Sequence, residues 1–298
     1  MVRQYKIHTN LDGTDDKVWD VTNGKVRFYQ PSNLGLQSTN NIWQSNGIGV
    51  MGTRSITQPQ IEFKLETFGE SLDENYQLMK DFINDILKQK FVTLEYQTEI
   101  FQVYADLALA EVTKTEGYGK NGTFSEKITF DIITKWYTYE NLTFDKIQNG
   151  KVIAGKSKIY GGTAPGNYKY VKGTSYTYYG ESNIDRLSRW DIKDEIFSFM
   201  GILYPQLPKT PAGVRFLDDI GNEYTAIVFK TEQLQNYILI NTDVNDEVYQ
   251  GWNGTTSLNL FPVMDFERYR TRIIEHGQME LINLTKAEFK IKRKADFI

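Results

Sequence analysis

Short runs of alternating apolar and polar residues dominate the first part of the chain and predict β-strands. Residues 61–65 (IEFKL) have a period of two, which places their apolar side chains on one face of a sheet. Residues 18–21 and 25–29 flank Asn23-Gly24, a dipeptide typical of two-residue turns, so a hairpin is predicted there. Further strands are predicted over residues 91–96, 101–109 and 127–134.

One helix is predicted over residues 71–90. Ser71 and Glu74 have the spacing of a capping box, in which each side chain satisfies the exposed amide of the other residue. The predicted core stripe consists of residues at three- and four-residue spacing: Tyr76, Met79, Phe82, Ile83, Ile86 and Leu87. A single helix with a small antiparallel sheet predicts an α+β domain over residues 1–135.

Residues 31–56 interrupt this pattern, because they are rich in Gly, Asn and Ser and contain only isolated apolar residues. This composition favours a long hairpin or flap that lies on another surface over a core strand. Exposed apolar side chains on such a backbone need a neighbour to cover them. The predicted contact residues are Leu34, Leu36, Ile42, Trp43, Ile48 and Val50.

The second part of the chain predicts a β-sandwich over residues 136–298. From residue 214 onward, strand-like runs recur about every ten residues and are separated by turn sequences. Residues 268–272 (RYRTR) have a period of two and would project three arginines from one strand face, as a solvated surface or a partner contact. The predicted fold class is mainly β, with an α+β first domain.

Composition excludes several classes of chemistry. The 298-residue chain has no cysteine, which excludes disulfides, a cysteine nucleophile and thiolate metal sites, and it has only two histidines. Acidic residues 12–16 and 243–247 are interpreted as solvated turns, so no metal or other cofactor is predicted. Residues 1–5 do not resemble a signal peptide, and no run approaches the about 18 apolar residues of a membrane span. We therefore expect a soluble protein made in a cytoplasm, without a membrane partner.

A basic segment stands out against a net charge of -4. Residues 146–180 contain six lysines, six tyrosines and seven glycines but no acidic residue. Lysine and glycine rarely build a core, whereas tyrosine with glycine is typical of contact surfaces. The acidic balance of the whole chain argues against direct nucleic-acid binding, and the segment alone leaves a saccharide or a protein open as its partner. The predicted contact residues are Lys156, Lys158, Tyr160, Tyr168, Tyr170, Lys172, Tyr176, Tyr178 and Tyr179.

The order of these patterns resembles a known family. The strand–helix–strand unit of the first domain runs from residue 71 through VTLEY at 92–96 to KITF at 127–130. It is followed by GNEYTAI at 221–227, YILINT at 237–242 and WNG at 252–254. Together they resemble the distal tail protein (Dit) family of siphophages, most closely its lactococcal members, over essentially the whole chain.

The resemblance implies a structural hub at the tail tip of a virion and no enzymatic activity. It implies a tail-tube-like first domain that closes a homohexameric ring, and a galectin-like sandwich with an arm inserted at about residues 146–196. Residues 282–298 could pack back on the first domain. The implied partners are further copies of the chain, trimeric receptor-binding proteins, the tail-tube protein and a tail-associated protein of the fibre or lysin type. The sandwich lacks the sugar-reading histidine of galectins, so it is expected to serve as a scaffold.

Two other hypotheses compete with the hub. A carbohydrate-binding module would use aromatic residues such as Trp136, Tyr178 and Trp252 on host-cell saccharides. A cell-wall hydrolase would use a pair of carboxylates, but no acidic residue stands in an apolar context that would raise its pKa. In the hub hypothesis, residues 31–56 close the ring and the arm contacts the receptor-binding protein.

Overall fold

A computed structural model describes residues 3–13, 15–35, 37–57, 60–114, 125–148, 151–152, 157–159, 190–232 and 235–295. The chain forms two compact units, of which unit 1 comprises residues 1–138 and 295–298 and unit 2 comprises residues 139–294. Each unit has a hydrophobic core of its own. The predicted mainly β fold class is confirmed.

Unit 1 is a curled antiparallel sheet with one helix. Its strands are β1 (Gln4–His8), β2 (Val18–Asp20), β3 (Val26–Ser32), β4 (Gln37–Ser45), β5 (Ile48–Thr57), β6 (Gln60–Thr67), β7 (Val92–Gln97), β8 (Gln102–Thr113) and β9 (Ser125–Ile132). The main sheet has the order β3-β6-β9-β8-β7-β1-β2, and β4 and β5 form a separate two-stranded sheet. Val21 links both ends of the main sheet, because its N–H donates to Tyr5 O and its carbonyl accepts from Phe28 N.

The alternating pattern of residues 61–65 predicts β6 correctly: Ile61, Phe63 and Leu65 are at most 1 % exposed. The hairpin predicted at Asn23-Gly24 is wrong, because β2 pairs with β1 and β3 pairs with β6. Asp20 instead organises a tight turn in which its carboxylate accepts hydrogen bonds from the amides of the next residues. The turn redirects the chain between two ends of one sheet.

The predicted helix is observed as α1 (Leu72–Leu87), with Ser71 as its N-cap. Phe82 and Ile86 are buried, but Tyr76 and Leu87 are each 62 % exposed. The prediction of a single core-facing stripe is therefore wrong for Tyr76 and Leu87. At 100° per residue these two side chains lie about 120° and 140° around the helix from Phe82, beyond the reach of the sheet beneath.

Unit 2 is a β-sandwich. Its elements are β10 (Tyr137–Gln148, which starts in unit 1), β11 (Lys151–Val152), β12 (Ser157–Ile159), β13 (Trp190–Ile192), β14 (Ile196–Pro205), β15 (Ala212–Leu217), β16 (Glu223–Phe229), β17 (Tyr237–Asn241), β18 (Val248–Asn253), β19 (Thr256–Asn259), a 3-10 helix (Phe261–Val263), β20 (Gly277–Ile282) and β21 (Leu284–Lys294). One sheet has the order β19-β18-β17-β14-β21-β10 and the other β13-β20-β15-β16. A shared core that includes Phe199, Phe216 and Phe289 lies between the sheets. The chain returns to unit 1 only at Ala295.

The arginine face predicted for residues 268–272 is wrong. This segment is a loop held against β16, where Arg268 O accepts from Ala226 N and Arg270 N donates to Thr225 Oγ1. Arg268 pairs with Glu223, while Arg272 Nη2 lies 3.1 Å from a carboxylate oxygen of Glu247. The hydrogen bonds to β16 turn the side chains in different directions, which a two-residue period cannot anticipate.

His8 lies buried on β1 within a cluster of charges. Its Nδ1 is 2.6 Å from Asp16 Oδ2 and its Nε2 is 2.8 Å from Glu95 Oε2. The imidazole ring therefore bridges two carboxylates that lie far apart in the sequence. Burial tends to raise the pKa of Glu95, but hydrogen bonds from Lys6 and His8 outweigh it and hold the pKa below its ordinary value of 4.5. The cluster joins β1 to β7.

Replacing His8 with Leu should destabilise unit 1 by about 2–4 kcal/mol, because Asp16 and Glu95 lose the imidazole that they share. Hydrogen–deuterium exchange of β1 and β7 peptides in the full chain measures the loss. His276→Leu is the control, since the exposed side chain of His276 pairs with exposed Asp219 and its bond from Tyr224 goes to the backbone carbonyl, so its effect should stay within about 0.5 kcal/mol. Unchanged protection of β1 and β7 in the His8 variant would contradict this assignment.

The same cluster sets a pH dependence. Because the pKa of Glu95 is lowered in the folded state, its stabilisation is present above the ordinary pKa of 4.5 and is lost as the pH falls through the lowered value. Urea unfolding should therefore show lower stability of unit 1 at pH 3 than at pH 6 in the wild type. The difference should be smaller in Glu95→Gln.

Candidate functional site

Strands β4 and β5 form the predicted hairpin, whose register shifts at a β-bulge between Asn40 and Ile42. Trp43 pairs with Val50, and Ile42 pairs with Met51. Asn46 and Gly47 at the tip have φ values of 52° and 79°, as a type I′ turn requires. This turn matches the twist of the two strands and sets their register.

The hairpin carries apolar side chains on both of its faces. Since successive residues of a strand point to opposite sides, Trp43, Ile48 and Val50 share one face, while Ile42 and Met51 share the other. These side chains are between 50 % and 70 % exposed, and every residue from 38 to 54 is exposed. A lone two-stranded hairpin is marginally stable in water, so both apolar faces favour a covering partner.

The structure brings four of the six predicted contact residues together on this hairpin: Ile42, Trp43, Ile48 and Val50. Leu34 is buried in the core of unit 1, so the expectation that it is an exposed contact is wrong. Leu36 lies outside the described residues. Met51 was missed, although pairing outward from the Asn46-Gly47 turn places it opposite Ile42.

The inserted segment of unit 2 begins at one sheet and ends at the other. β11 pairs antiparallel with the end of β10, and β12 pairs parallel with it, so that Asp145 lies opposite Lys158. The chain returns as β13, the edge strand beside β20 in the second sheet. An insertion between two edge strands leaves both hydrogen-bonded sheets of the sandwich unbroken.

Lys158 is the single predicted arm residue within the described backbone, on β12. The other eight lie outside the described residues: Lys156, Tyr160, Tyr168, Tyr170, Lys172, Tyr176, Tyr178 and Tyr179. Their role as partner contacts stays a prediction.

A half-buried arginine ties the two ends of the insertion to the sandwich. Arg293 on β21 places Nη1 3.2 Å from Glu140 on β10 and 3.2 Å from Asp194, which follows β13. Asp191 on β13 also accepts a 2.8 Å hydrogen bond from Gln278 on β20. Each contact contributes little alone, but together they hold the base of the insertion in one arrangement.

The described residues offer little for metal or sugar chemistry. No group of three His, Cys, Asp or Glu among them could hold a metal ion. In the acidic loop at 243–247, Lys292 Nζ lies 2.9 Å from Asp243 Oδ2 and supplies the positive charge itself. Trp136 is only 2 % exposed and cannot stack on a saccharide, whereas Trp252 stacks half-buried on Tyr237. Tyr178, the third aromatic residue of the carbohydrate-binding hypothesis, lies outside the described residues.

Within the described part of the chain, no helix has the length and apolar character of a membrane span.

Comparison with known proteins matches both units. The model of the distal tail protein N-terminal domain matches residues 4–133, and that of the Dit C-terminal domain matches residues 135–298. The chain is 94 % identical to the distal tail protein of Lactococcus phage p2 and 92 % identical to that of Lactococcus phage SK1, with complete coverage of each. A chain of the phage P2 baseplate, solved in its activated conformation with Ca, matches at 94 % identity, complete coverage of both chains and a TM-score of 0.79.

A more distant solved structure is similar in fold alone. The Dit protein of SPP1 is 11 % identical, and the match covers 98 % of this chain and 99 % of that one with a TM-score of 0.50.

The turn geometry predicts that Gly47→Ala loosens the hairpin by about 1 kcal/mol, because Gly47 has a positive φ that alanine disfavours. Arg54 is the single basic residue between Arg27 and Lys64, so tryptic cleavage after Arg54 reports on the hairpin. Cleavage should become about fivefold faster if it follows the population of open hairpin. Gly35→Ala is the control, since a Cβ there meets open space without a positive φ. Equal rates for both variants would contradict the turn assignment.

Proposed function

The chain belongs to the distal tail protein family, and on that premise we propose that six copies close into a ring that holds receptor-binding proteins at the tail tip. As a member of this family it is a structural component of the phage baseplate in the virion tail, and it is not an enzyme. The observation that carries the proposal is the β4–β5 hairpin, with exposed apolar side chains on both faces.

The hairpin supports ring closure because of how it presents its apolar surface. A ring is built from heterologous contacts, in which one surface of each copy meets a different surface of the next. The hairpin suits one of these two surfaces, since its apolar faces can contact the next copy without rearrangement of the unit that carries it. The ring number of six is taken from the family resemblance. The same ring would connect the tail-tube protein on one side with the tail-associated protein on the other.

The insertion in unit 2 supports the second part of the proposal. Its residues 146–180 contain six lysines and no acidic residue, and this positive charge in an otherwise acidic chain suits an acidic partner. Its tyrosines can bury contact area at low entropic cost. Because Arg293 anchors the base of the insertion, a partner bound to the insertion would be held in a defined position relative to the sandwich. The proposed partner is the trimeric receptor-binding protein of the same virion.

Replacing Trp43 and Val50 together with Ser should prevent ring formation, because this removes most of the apolar surface from one face of the hairpin. Sedimentation velocity at micromolar concentration should shift from the ring to the monomer. Ile220→Ser is the matched control, since Ile220 is 84 % exposed but lies in unit 2, and it should leave the ring intact. An intact ring in the double variant would exclude the hairpin from ring closure.

Replacing residues 160–189 with a short Gly/Ser linker should abolish capture of the receptor-binding protein while the ring remains. This deletion spares β12 and β13 and therefore the sandwich edges. Pull-down with purified receptor-binding protein measures the loss. Capture by the wild type should also weaken as the salt concentration rises from about 0.05 M to about 0.5 M, because salt screens contacts between exposed charges. Undiminished capture after the deletion would refute the assignment of the arm.

A further inference from the structure

Helix α1 has an apolar surface about twice as wide as its own core uses. At 100° per residue, the apolar side chains from Leu78 round to Leu87 span about 180° of the helix. The inner half includes Phe82 and Ile86, which are at most 3 % exposed. The outer half forms a stripe along the helix that consists of Leu72, Tyr76, Ile83 and Leu87. In this outer stripe Leu72 is 51 % exposed and Tyr76 and Leu87 are each 62 % exposed.

The helix cannot rotate to bury the outer stripe, because its polar side is anchored. Asp85 accepts hydrogen bonds from Lys17 and from Trp19 Nε1, the latter at 3.2 Å. Glu74 pairs with Lys25 near the other end of the helix. Two anchors at opposite ends define the rotation of α1 about its axis. The exposed stripe is therefore a stable feature of the folded unit.

The described residues of unit 1 thus include two exposed apolar surfaces of opposite charge, the hairpin and the outer stripe. The hairpin region 37–57 contains Arg54 and no acidic residue, a net charge of +1. Helix α1 contains four acidic residues and one lysine between residues 72 and 87, a net charge of -3. The hairpin and the stripe are exposed at the same time in one chain, so neither covers the other within a copy.

We propose that the outer stripe of α1 receives the β4–β5 hairpin of a neighbouring copy. The inference rests on the proposed ring and names the surface that accepts the hairpin. Two different apolar surfaces on one unit are what a heterologous contact needs, and their opposite charges favour this pairing over contact between two hairpins or two helices. The hairpin face with Trp43 and Val50 lies against Leu72, Tyr76 and Leu87.

The absence of cysteine allows a direct test by disulfide cross-linking. A protein with Val50→Cys is mixed with a protein that has Tyr76→Cys, and the mixture is dissociated, reassembled and oxidised. A disulfide forms only where the two Cβ atoms approach to about 4 Å, so the product is a reducible species of twice the 34.5 kDa chain mass. The control pairs Val50→Cys with Gln77→Cys, since Gln77 is exposed on the same helix but lies 100° away from Tyr76.

Sedimentation of each mixture before oxidation separates the two levels of the proposal. The α1 contact is supported if a ring forms and Tyr76→Cys gives at least about tenfold more cross-linked product than Gln77→Cys, because the two side chains point 100° apart on the helix. A ring with no cross-link, or with equal cross-linking at both positions, overturns the α1 contact but leaves ring formation standing. A monomer in every mixture and in the wild type overturns both.

Discussion

The apolar side chains of the hairpin in unit 1 stay exposed within the chain that makes it. Trp43, Ile48 and Val50 lie on one face of a two-stranded sheet, and Ile42 and Met51 lie on the other. A two-stranded sheet has no inside, so one face or both must meet water until another surface arrives. The type I′ turn at Asn46-Gly47 nevertheless fixes the register of the strands from the turn as far as the Ile42–Met51 pair. A well-formed hairpin with no core beneath it is best understood as half of an interface.

The rest of unit 1 is a closed frame from which this hairpin extends between β3 and β6. The sheet closes on itself through Val21, and the buried contacts of His8 with Asp16 and Glu95 join strand β1 to β7. Anchors at both ends of α1 leave an apolar stripe outside the core. Rigid presentation reduces the conformational entropy that association would otherwise cost. Unit 2 uses a different device, in which a basic segment is inserted between the edge strands of two sheets and its base is tied down by Arg293.

Local patterns predicted local structure well and failed where partners are distant in sequence. The period of two at residues 61–65 and the capping residues of α1 specify their elements without reference to the rest of the chain. Asn23-Gly24 has the chemistry of a hairpin turn, but the strands on either side find better partners in β1 and β6. Arg268 and its neighbours alternate like a strand, yet hydrogen bonds to β16 hold them as a loop. In such cases the tertiary contact outweighs the propensity of the segment.

The exposed hairpin could be predicted only as far as amino-acid composition indicates which residues are exposed. A stretch rich in Gly, Asn and Ser with scattered apolar residues correctly indicated an exposed hairpin. It could not distinguish Leu34, which lies in the core, from Ile42, which does not, because both stand in the same kind of sequence. The outer stripe of α1 was read as core for a related reason. Periodicity shows which face of a helix is apolar, but only the packed structure shows how much of that face the sheet covers.

Native mass spectrometry of the purified wild-type protein tests most directly whether the hairpin is completed by another copy. We expect a single closed species of about six times the 34.5 kDa chain mass at micromolar concentration. A monodisperse species at the mass of one chain, for the protein alone and in mixture with its baseplate partners, would contradict it.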